Sequence, residues 1–339
     1  VSAAVASPVH GCYFTNWAVY RPEPYTFPSA KIPVGLCTHI FYAFAAVNVT
    51  TFQAALTDSW SDISLGNMQD LNVHLRKQQP GLKTLLSFGG YTESQTGIYA
   101  QMASDPTKRA AFVQSAWQLA NDNGFDGIDI DWEYPDATSK DDYATLFQDL
   151  RAAAGSGKLL TAAVSAGSAT IDAGYNATAL AGSVDYLTVM AYDFYGTWDT
   201  AIGQSSSYSD TAAAMALWKS YGIPSGKLLM GIAAYGHGWV ADECAPGVAS
   251  TVASPPQTIT QSSGIASYFE LAALGGTVIT TDDGPYLKTT QDGESLCFSY
   301  ENAQSVTKKM ELILELGYGG AFSWTVDYDD ANFTILNAM

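Results

Sequence analysis

The chain has 339 residues, of which 47% are hydrophobic and 14% charged, and this composition excludes intrinsic disorder. No run approaches the roughly 18 consecutive apolar residues that a membrane-spanning helix needs, so we do not expect this chain to be a membrane protein. Fifteen Lys and Arg against 33 Asp and Glu give a net charge of -18, which repels nucleic-acid phosphates and anionic lipids, so we expect neither a nucleic-acid nor a membrane partner.

Strand-like segments recur along the whole chain. Segments rich in β-branched and aromatic residues predict strands at 10–17, 38–48, 83–90, 127–135, 158–166, 184–196, 227–236 and 319–329. Amphipathic stretches predict helices between most of these strands, most clearly at 65–79, 108–123, 140–154, 209–221 and 302–316. Gly124, Gly222 and Gly317 follow three of these stretches, where a left-handed helix cap favours glycine.

The alternation of strand and helix determines the predicted fold class. Eight repeats of strand and helix predict an α/β protein with a (β/α)8 TIM barrel, and a doubly wound parallel sheet is the alternative. About 90 residues separate the start of the seventh strand from the start of the eighth, which is more than an ordinary loop needs. We therefore expect a barrel formed by 1–237 and 301–339, with a small α+β insertion at 238–300.

The four cysteines are even in number and lack the close spacing of a zinc site. We therefore expect two disulfides. Cys244 and Cys297 both lie within the predicted insertion and would pair there, which leaves Cys12 to pair with Cys37.

Three Asn-x-Ser/Thr sequons are further signs of a secretory route, which also favours disulfides. They begin at Asn48, Asn176 and Asn332, and each is a candidate glycosylation site. We expect a secreted, extracellular protein.

The predicted strand at 127–135 carries the strongest chemical signal. Asp129, Asp131 and Glu133 alternate with apolar residues, so the period of a strand places all three acids on one face, successive ones roughly 6.6 Å apart. That face would point into the barrel, where burying a carboxylate costs several kcal/mol unless it is paired or protonated. Since few basic residues lie on the predicted strands, we interpret the three acids as a functional site.

Two chemistries suit such stacked carboxylates. Three oxygens could hold Mg²⁺ or Ca²⁺, although such sites usually recruit further oxygen ligands. In the alternative, acid catalysis, like charges at this spacing cannot all ionise, so Asp129 and Asp131 should share a proton. Glu133, at the carboxyl end of the strand, should keep a raised pKa and donate a proton to a leaving group.

The spacing Asp126-x-x-Asp129-x-Asp131-x-Glu133 resembles the D-x-x-D-x-D-x-E signature of glycoside hydrolase family 18, the chitinases and chitinase-like lectins. The resemblance extends over essentially the whole chain, insertion included. Further segments similar to the family's motifs are Cys12-Tyr13-Phe14-Thr15-Asn16-Trp17, Ser87-Phe88-Gly89-Gly90, Met190-Ala191-Tyr192-Asp193, Tyr235-Gly236 and Trp324.

The resemblance implies an endochitinase that cleaves β-1,4 bonds of N-acetylglucosamine polymers with retention. Family members have no protein nucleophile, because the acetamide of the substrate attacks the anomeric carbon. By this resemblance, Glu133 is the general acid and base, Asp131 holds the acetamide N–H, and Asp129 supports Asp131. Tyr192 would orient the acetamide oxygen, no cofactor or metal is implied, and chitin or chitooligosaccharides are the expected partners of a monomer.

The resemblance also implies a set of sugar contacts. The candidates are Asp193, Tyr235, Trp324, Met190, Trp17, Tyr13, Phe44, Tyr91 and His237. Two of them depart from the common pattern of animal chitinases, since Tyr91 replaces a Trp and His237 replaces an Arg. A chitooligosaccharide-binding lectin of the same fold and an endo-β-N-acetylglucosaminidase are the alternative functions, and the retained Glu133 favours the chitinase.

Overall fold

The computed structural model describes residues 8–339 and contains two β-sheets. The strands, in chain order, are β1 (Val9–Thr15), β2 (His39–Val47), β3 (Ala54–Leu56), β4 (Lys83–Gly89), β5 (Gly127–Asp131), β6 (Leu159–Ser165), β7 (Tyr186–Met190), β8 (Leu228–Ala233), β9 (Tyr235–Val240), β10 (Ile265–Ser267), β11 (Thr277–Thr281), β12 (Gly284–Gln291), β13 (Glu294–Ser299) and β14 (Gly320–Trp324).

Helices alternate with most of these strands. They are α1 (Asn67–Gln69), α2 (Arg76–Gln78), α3 (Tyr91–Ser94), α4 (Ile98–Ser104), α5 (Pro106–Asp122), α6 (Lys140–Ala153), α7 (Ser168–Gly174), α8 (Ala177–Ser183), α9 (Tyr208–Ser220), α10 (Tyr268–Leu274), α11 (Ala303–Leu316) and α12 (Thr334–Ala338). In the described part of the chain, no helix has the length and apolar character to cross a membrane.

The first sheet closes into a barrel of eight parallel strands. Their order is β1, β14, β8, β7, β6, β5, β4, β2, and β1 also pairs with β2, which closes the ring. The short strand β3 adds to β2 in antiparallel fashion. The predicted (β/α)8 barrel is therefore confirmed, and the doubly wound sheet is excluded.

Local sequence signals set the ends of several helices. The Asp105 side chain accepts hydrogen bonds from the amides of Thr107 and Lys108, and Pro106 occupies the first position of α5, as expected for a capped helix start. Gly317 ends α11 in the left-handed region, with φ 66°. The predicted helix at 65–79 is not a regular α-helix, because Asp70–Leu75 forms wider π-helical turns between α1 and α2.

The second sheet lies between barrel strands β8 and β14 in the chain. It is antiparallel, with the order β10, β9, β13, β12, β11, and α10 packs beside β10. An α+β insertion therefore stands where the sequence predicted one. Its first strand begins at Tyr235, three residues before the predicted boundary at 238, and the division of the chain into two folding units remains a proposal.

Both predicted disulfides are confirmed. Cys12, on β1, pairs with Cys37, which lies just before β2. Cys244 pairs with Cys297 of β13 inside the insertion. The three sequon asparagines Asn48, Asn176 and Asn332 are exposed, and their glycosylation remains a prediction.

Candidate active site

The acids of β5 lie at increasing heights along the barrel interior. Asp129 is fully buried and accepts hydrogen bonds from hydroxyls on three other barrel strands, the adjacent β4 and β6 and the more distant β1. The donors are Tyr13 at 2.9 Å and Ser87 at 2.7 Å to Oδ2, and Thr161 at 2.6 Å to Oδ1. Burial raises the pKa of Asp129, and these hydroxyls act in the opposite direction because they stabilise the carboxylate.

Asp131 and Glu133 form the upper pair. Burial and the nearby charges of Glu133 and Asp129 raise the pKa of Asp131 above its ordinary range. Burial, together with the charge of Asp193, raises the pKa of Glu133 to about 7. Oδ1 of Asp131 is buried without a hydrogen-bond partner among residues 8–339. The pair can therefore hold a proton at neutral pH and still offer an acceptor oxygen.

That Asp129 and Asp131 share a proton stays a prediction. Three hydroxyls donate to the oxygens of Asp129, while the nearby charges of Glu133 and Asp129 both raise the pKa of Asp131.

A cleft of about 440 Å³ opens above these acids, at the carboxyl ends of the barrel strands. Active sites of TIM-barrel enzymes lie at this end. Residues named from the sequence that line the cleft are Tyr13, Trp17, Phe44, Tyr91, Asp131, Glu133, Met190, Tyr192, Asp193, Tyr235 and Trp324. Gly89, Gly90, Thr92 and Ala163 complete the lining.

One wall of the cleft is formed by the segment after β7. Asp193 has a φ of 59°, a left-handed conformation that Asp tolerates better than most residues. Its Oδ1 accepts a hydrogen bond from the hydroxyl of Tyr235 at 2.6 Å and lies 2.8 Å from Nε2 of His237. Tyr192 packs edge-on against Tyr235, next to Gly231, where a Cβ would come within 2.8 Å of the Tyr192 ring.

His237 does not line the cleft, contrary to the sequence-based expectation of a sugar contact. Its side chain is buried, with 3% of the residue exposed, and lies between Asp193 and Trp198, whose ring is 5.1 Å away. The hydrogen bond to Asp193 makes His237 a support for that carboxylate.

Aromatic rings form a row along the opposite wall. Phe44 stacks between Trp17 and Trp324, with ring centroids 6.0 and 5.8 Å apart. Trp17 is 41% exposed and Tyr91, at the rim, is 66% exposed. These exposed ring faces can stack on the apolar faces of pyranose rings.

Tyr13 lies below this row. Only 1% of it is exposed, and its ring stacks on Phe41 at 4.6 Å. Its hydroxyl donates to Asp129 at the bottom of the cleft that it lines, and a sugar contact by Tyr13 remains a prediction.

The two consecutive glycines at the end of β4, Gly89 and Gly90, allow two close approaches. A Cβ on Gly89 would lie 2.1 Å from the carbonyl oxygen of Asp131, and one on Gly90 would lie 2.5 Å from the Phe44 ring. Both have positive φ, 120° and 84°. The Ser-x-Gly-Gly pattern therefore permits β4 to contact the end of β5.

Several residues of the site were not identified from the sequence. Thr161 and Thr188 contribute hydroxyls to the buried network, and Thr188 lies 3.3 Å from the Tyr13 hydroxyl. Ser94 and Gln95 contact the backbone of Glu133. The threonines occupy inward positions of β6 and β7, which strand alternation could have indicated, whereas no sequence pattern marks Ser94 or Gln95.

The side chains around the acids of β5 bear on whether the site could hold a metal ion. Within residues 8–339, no three His, Cys, Asp or Glu side chains converge in a way that could hold a metal ion. The acids of β5 are instead surrounded by hydroxyls and aromatic rings.

Comparison with known proteins agrees with this arrangement. The family model described as "Glycosyl hydrolases family 18" matches residues 10–329. The "Probable endochitinase" of Caenorhabditis elegans is 37% identical over 96% of this chain, and the chain spans 57% of that protein's length.

Solved structures extend the similarity to the fold. The Group IV chitinase of Ostrinia furnacalis superposes with a TM-score of 0.91 at 30% identity, covering 98% of both chains. Human YKL-39, described as a pseudo-chitinase with retained chitooligosaccharide binding, gives a TM-score of 0.89 at 29% identity and likewise covers 98% of both chains.

Proposed function

Because the chain belongs to family 18 of the glycosyl hydrolases, we propose that it is a secreted endochitinase that hydrolyses β-1,4-linked N-acetylglucosamine polymers with retention. The observation that carries this proposal is that Glu133 and Asp131 both line the cleft, where the charge of Glu133 raises the pKa of Asp131. A glutamic acid whose pKa is raised to about 7 can be protonated near neutral pH, as a general acid must be.

In the first step, Glu133 transfers its proton to the glycosidic oxygen. The bond between that oxygen and the anomeric carbon breaks while the acetamide carbonyl oxygen of the same sugar bonds to the anomeric carbon, which yields an oxazolinium intermediate. The unpartnered Oδ1 of Asp131 accepts the acetamide N–H. The negative charge of Asp131, supported from below by Asp129, offsets the positive charge of the intermediate.

In the second step, the Glu133 carboxylate takes a proton from water. The resulting hydroxyl attacks the anomeric carbon, the bond to the acetamide oxygen breaks, and the configuration is retained overall. Tyr192, which lines the cleft beside Asp193, donates to the acetamide oxygen and keeps it oriented for attack.

Sugar binding is assigned to the walls of the cleft. Trp324 forms the floor under the sugar at the cleavage position, and Trp17 and Tyr91 stack on sugars further along. Phe44 and Met190 pack beside them, while Asp193 and Tyr235 hydrogen-bond sugar hydroxyls. The length of this row favours a polymer over a single small sugar.

Secretion is proposed on two grounds. Both disulfides belong to the kind of protein that matures in an oxidising compartment. The three exposed sequons are compatible with the same route.

The alternative is a lectin that binds chitooligosaccharides without cleaving them. The similarity to human YKL-39, described as a pseudo-chitinase, is the observation that favours this alternative. Endo-β-N-acetylglucosaminidase activity is a third candidate, which comes from the sequence. Glu133 favours an enzyme, because a lectin has no need of a half-buried glutamic acid at the cleft whose pKa is raised to about 7.

Product analysis on chitin oligomers and on N-glycans separates the three functions. We expect the wild-type protein to cleave chitin oligomers into shorter oligomers of β-configuration and to leave the glycans intact. Glu133→Gln should abolish cleavage and retain binding, whereas Glu243→Gln, the same change at an exposed position of the insertion, should be fully active. Binding without cleavage by the wild type would establish the lectin, and glycan cleavage alone would establish the third function.

A further inference from the structure

A short helical turn links β4 to the catalytic acid. It consists of Gly90, helix α3 (Tyr91–Ser94) and Gln95, and is called the 90–95 turn below. Its first residues, Gly90, Tyr91 and Thr92, line the cleft. Its last residues contact the chain that follows β5.

Glu133 lies beyond the last paired residue of its strand. Strand β5 ends at Asp131, so the sheet supplies no hydrogen-bond partner for the backbone of Glu133. The hydroxyl of Ser94 accepts the Glu133 amide at 2.8 Å, and Nε2 of Gln95 donates to the Glu133 carbonyl at 3.1 Å. Two consecutive residues therefore hold both backbone polar groups of the acid.

The same turn also holds the end of β5. The amide of Gly90 donates to the carbonyl of Asp131 at 2.8 Å, and the hydroxyl of Ser94 lies 3.4 Å from that carbonyl. Ser94 is buried, so its hydroxyl has little competition from water. It can accept from Glu133 and donate to Asp131 at once.

Glu93 fixes the turn from its other side. One carboxylate oxygen accepts the amide of Val47 at 2.7 Å, at the end of β2, and the other accepts the hydroxyl of Tyr99 at 3.0 Å. The turn is thus anchored to β2 and α4 independently of Glu133, and it provides a fixed support for the acid.

We propose that Ser94, assisted by Gln95, is a positioning residue that holds the backbone of Glu133 so that its carboxyl meets the glycosidic oxygen. This inference rests on the proposed function and adds to it a residue outside the signature motif. A general acid must stay within hydrogen-bond reach of its target, and a misplacement of about 1 Å can cost on the order of a hundredfold in rate. Loss of the Ser94 hydroxyl leaves the Glu133 amide without a partner and frees the acid to move.

The test compares Ser94→Ala and Ser94→Thr with a matched control. Ser104→Ala removes an exposed hydroxyl that, among residues 8–339, bonds only to its own helix α4. For each variant, kcat and KM are measured on chitin pentamer. The titration of the Glu133 carboxyl is followed by NMR with ¹³C-labelled glutamate, its signal being assigned by its absence in Glu133→Gln.

For Ser94→Ala we expect kcat to fall roughly 10- to 100-fold with less than about a threefold change in KM. The Glu133 titration midpoint should move down toward that of an ordinary glutamic acid, because a freed carboxyl reaches water. Ser94→Thr, which keeps the hydroxyl, should restore both values, and Ser104→Ala should match the wild type. An unchanged midpoint in Ser94→Ala, or equal losses in the Ala and Thr variants, would overturn the inference.

The NMR readout separates this inference from the proposed function. If the wild type cleaves no oligomer, the proposed function fails. A midpoint that shifts in Ser94→Ala and returns in Ser94→Thr would still support positioning of Glu133, and a midpoint that stays in place would reject it.

Discussion

The hydroxyl of Thr161 donates a hydrogen bond of 2.6 Å to Oδ1 of Asp129. This bond joins β6 to the deepest acid of the site, and it is the only hydrogen bond to that oxygen among the described residues. A hydrogen bond to a charged group contributes more than one between neutral groups. Thr161 therefore opposes the rise in the pKa of Asp129 that burial causes.

Thr161→Val should slow catalysis without unfolding the barrel. The valine fills the same volume but removes the donor, so the pKa of Asp129 rises further and less negative charge supports Asp131. We expect kcat to fall roughly tenfold, which corresponds to the loss of about 1.4 kcal/mol of transition-state stabilisation. Thr161→Ser keeps the donor and should stay near wild type; equal kcat values for the Val and Ser variants would contradict the assignment.

The pH dependence of kcat/KM should reveal the proton on Glu133. Because the acid must be protonated in the first step, activity should decline as pH rises through about 7, the pKa of Glu133 in the folded protein. The charge of Asp193 contributes to that raised value. Asp193→Asn keeps an acceptor oxygen for Tyr235 and His237, so it should move the alkaline limb to lower pH by up to about one unit. A shift to higher pH would rule out this electrostatic account.

Stability should decrease from weakly acidic to neutral pH. Burial raises the pKa of Glu93 and of Glu133 to about 7 and that of Asp329 to about 6. The folded state thus binds more protons than the unfolded state between about pH 4 and 7, so the free energy of unfolding falls as pH rises through this window. Urea unfolding at pH 5 and 7.5 should differ by about 1 kcal/mol or more, and Glu133→Gln should reduce the difference. A larger unfolding free energy at pH 7.5 would contradict the prediction.

Gly89→Ala should destabilise the protein far more than Gly97→Ala. Both glycines have positive φ, which alone costs an alanine about 1 kcal/mol. Only at Gly89 would the new Cβ lie 2.1 Å from a carbonyl oxygen, that of Asp131, whereas nothing lies within 4 Å at Gly97. Thermal unfolding should show a loss of about 3 kcal/mol or more for the first variant. Similar melting temperatures for both would show that β4 and β5 can separate at little cost.

Trp17→Ala should weaken binding of long oligomers and leave folding intact. The ring is 41% exposed and continues the row formed with Phe44. We expect KM for chitin hexamer to rise roughly tenfold, while KM for a trimer changes little. Tyr221→Ala, an equally exposed aromatic residue that does not line the cleft, is the matched control. An equal effect on short and long oligomers would place Trp17 at the cleavage position instead.

The sequence predicted the features that depend on local periodicity. The period of two along β5 placed Asp129, Asp131 and Glu133 on one inward face, and the structure has them there. The 3.6-residue period located α5 and α6 within two residues at each end. Cysteine positions relative to the insertion were enough to assign both disulfides.

Contacts between distant elements could not be predicted in the same way. The hydrogen bond from the Glu133 amide to Ser94 joins residues 39 positions apart. It depends on the position of α3 relative to the end of β5. The hydrogen bond between His237 and Asp193 joins residues 44 positions apart, and the backbone of Asp193 is left-handed. No periodic pattern in the sequence indicates either of these two contacts.

The passage from the barrel into the insertion takes a single residue. Strand β8 ends at Ala233 and β9, an inner strand of the second sheet, begins at Tyr235, which itself lines the cleft. The insertion therefore cannot be deleted or exchanged without affecting the site, because a deletion that begins at its first strand would remove Tyr235. A chimera that exchanges the insertion between two such barrels should have its junctions inside β8 and β14. The residues that line the cleft and the sheet that supports them are then exchanged together.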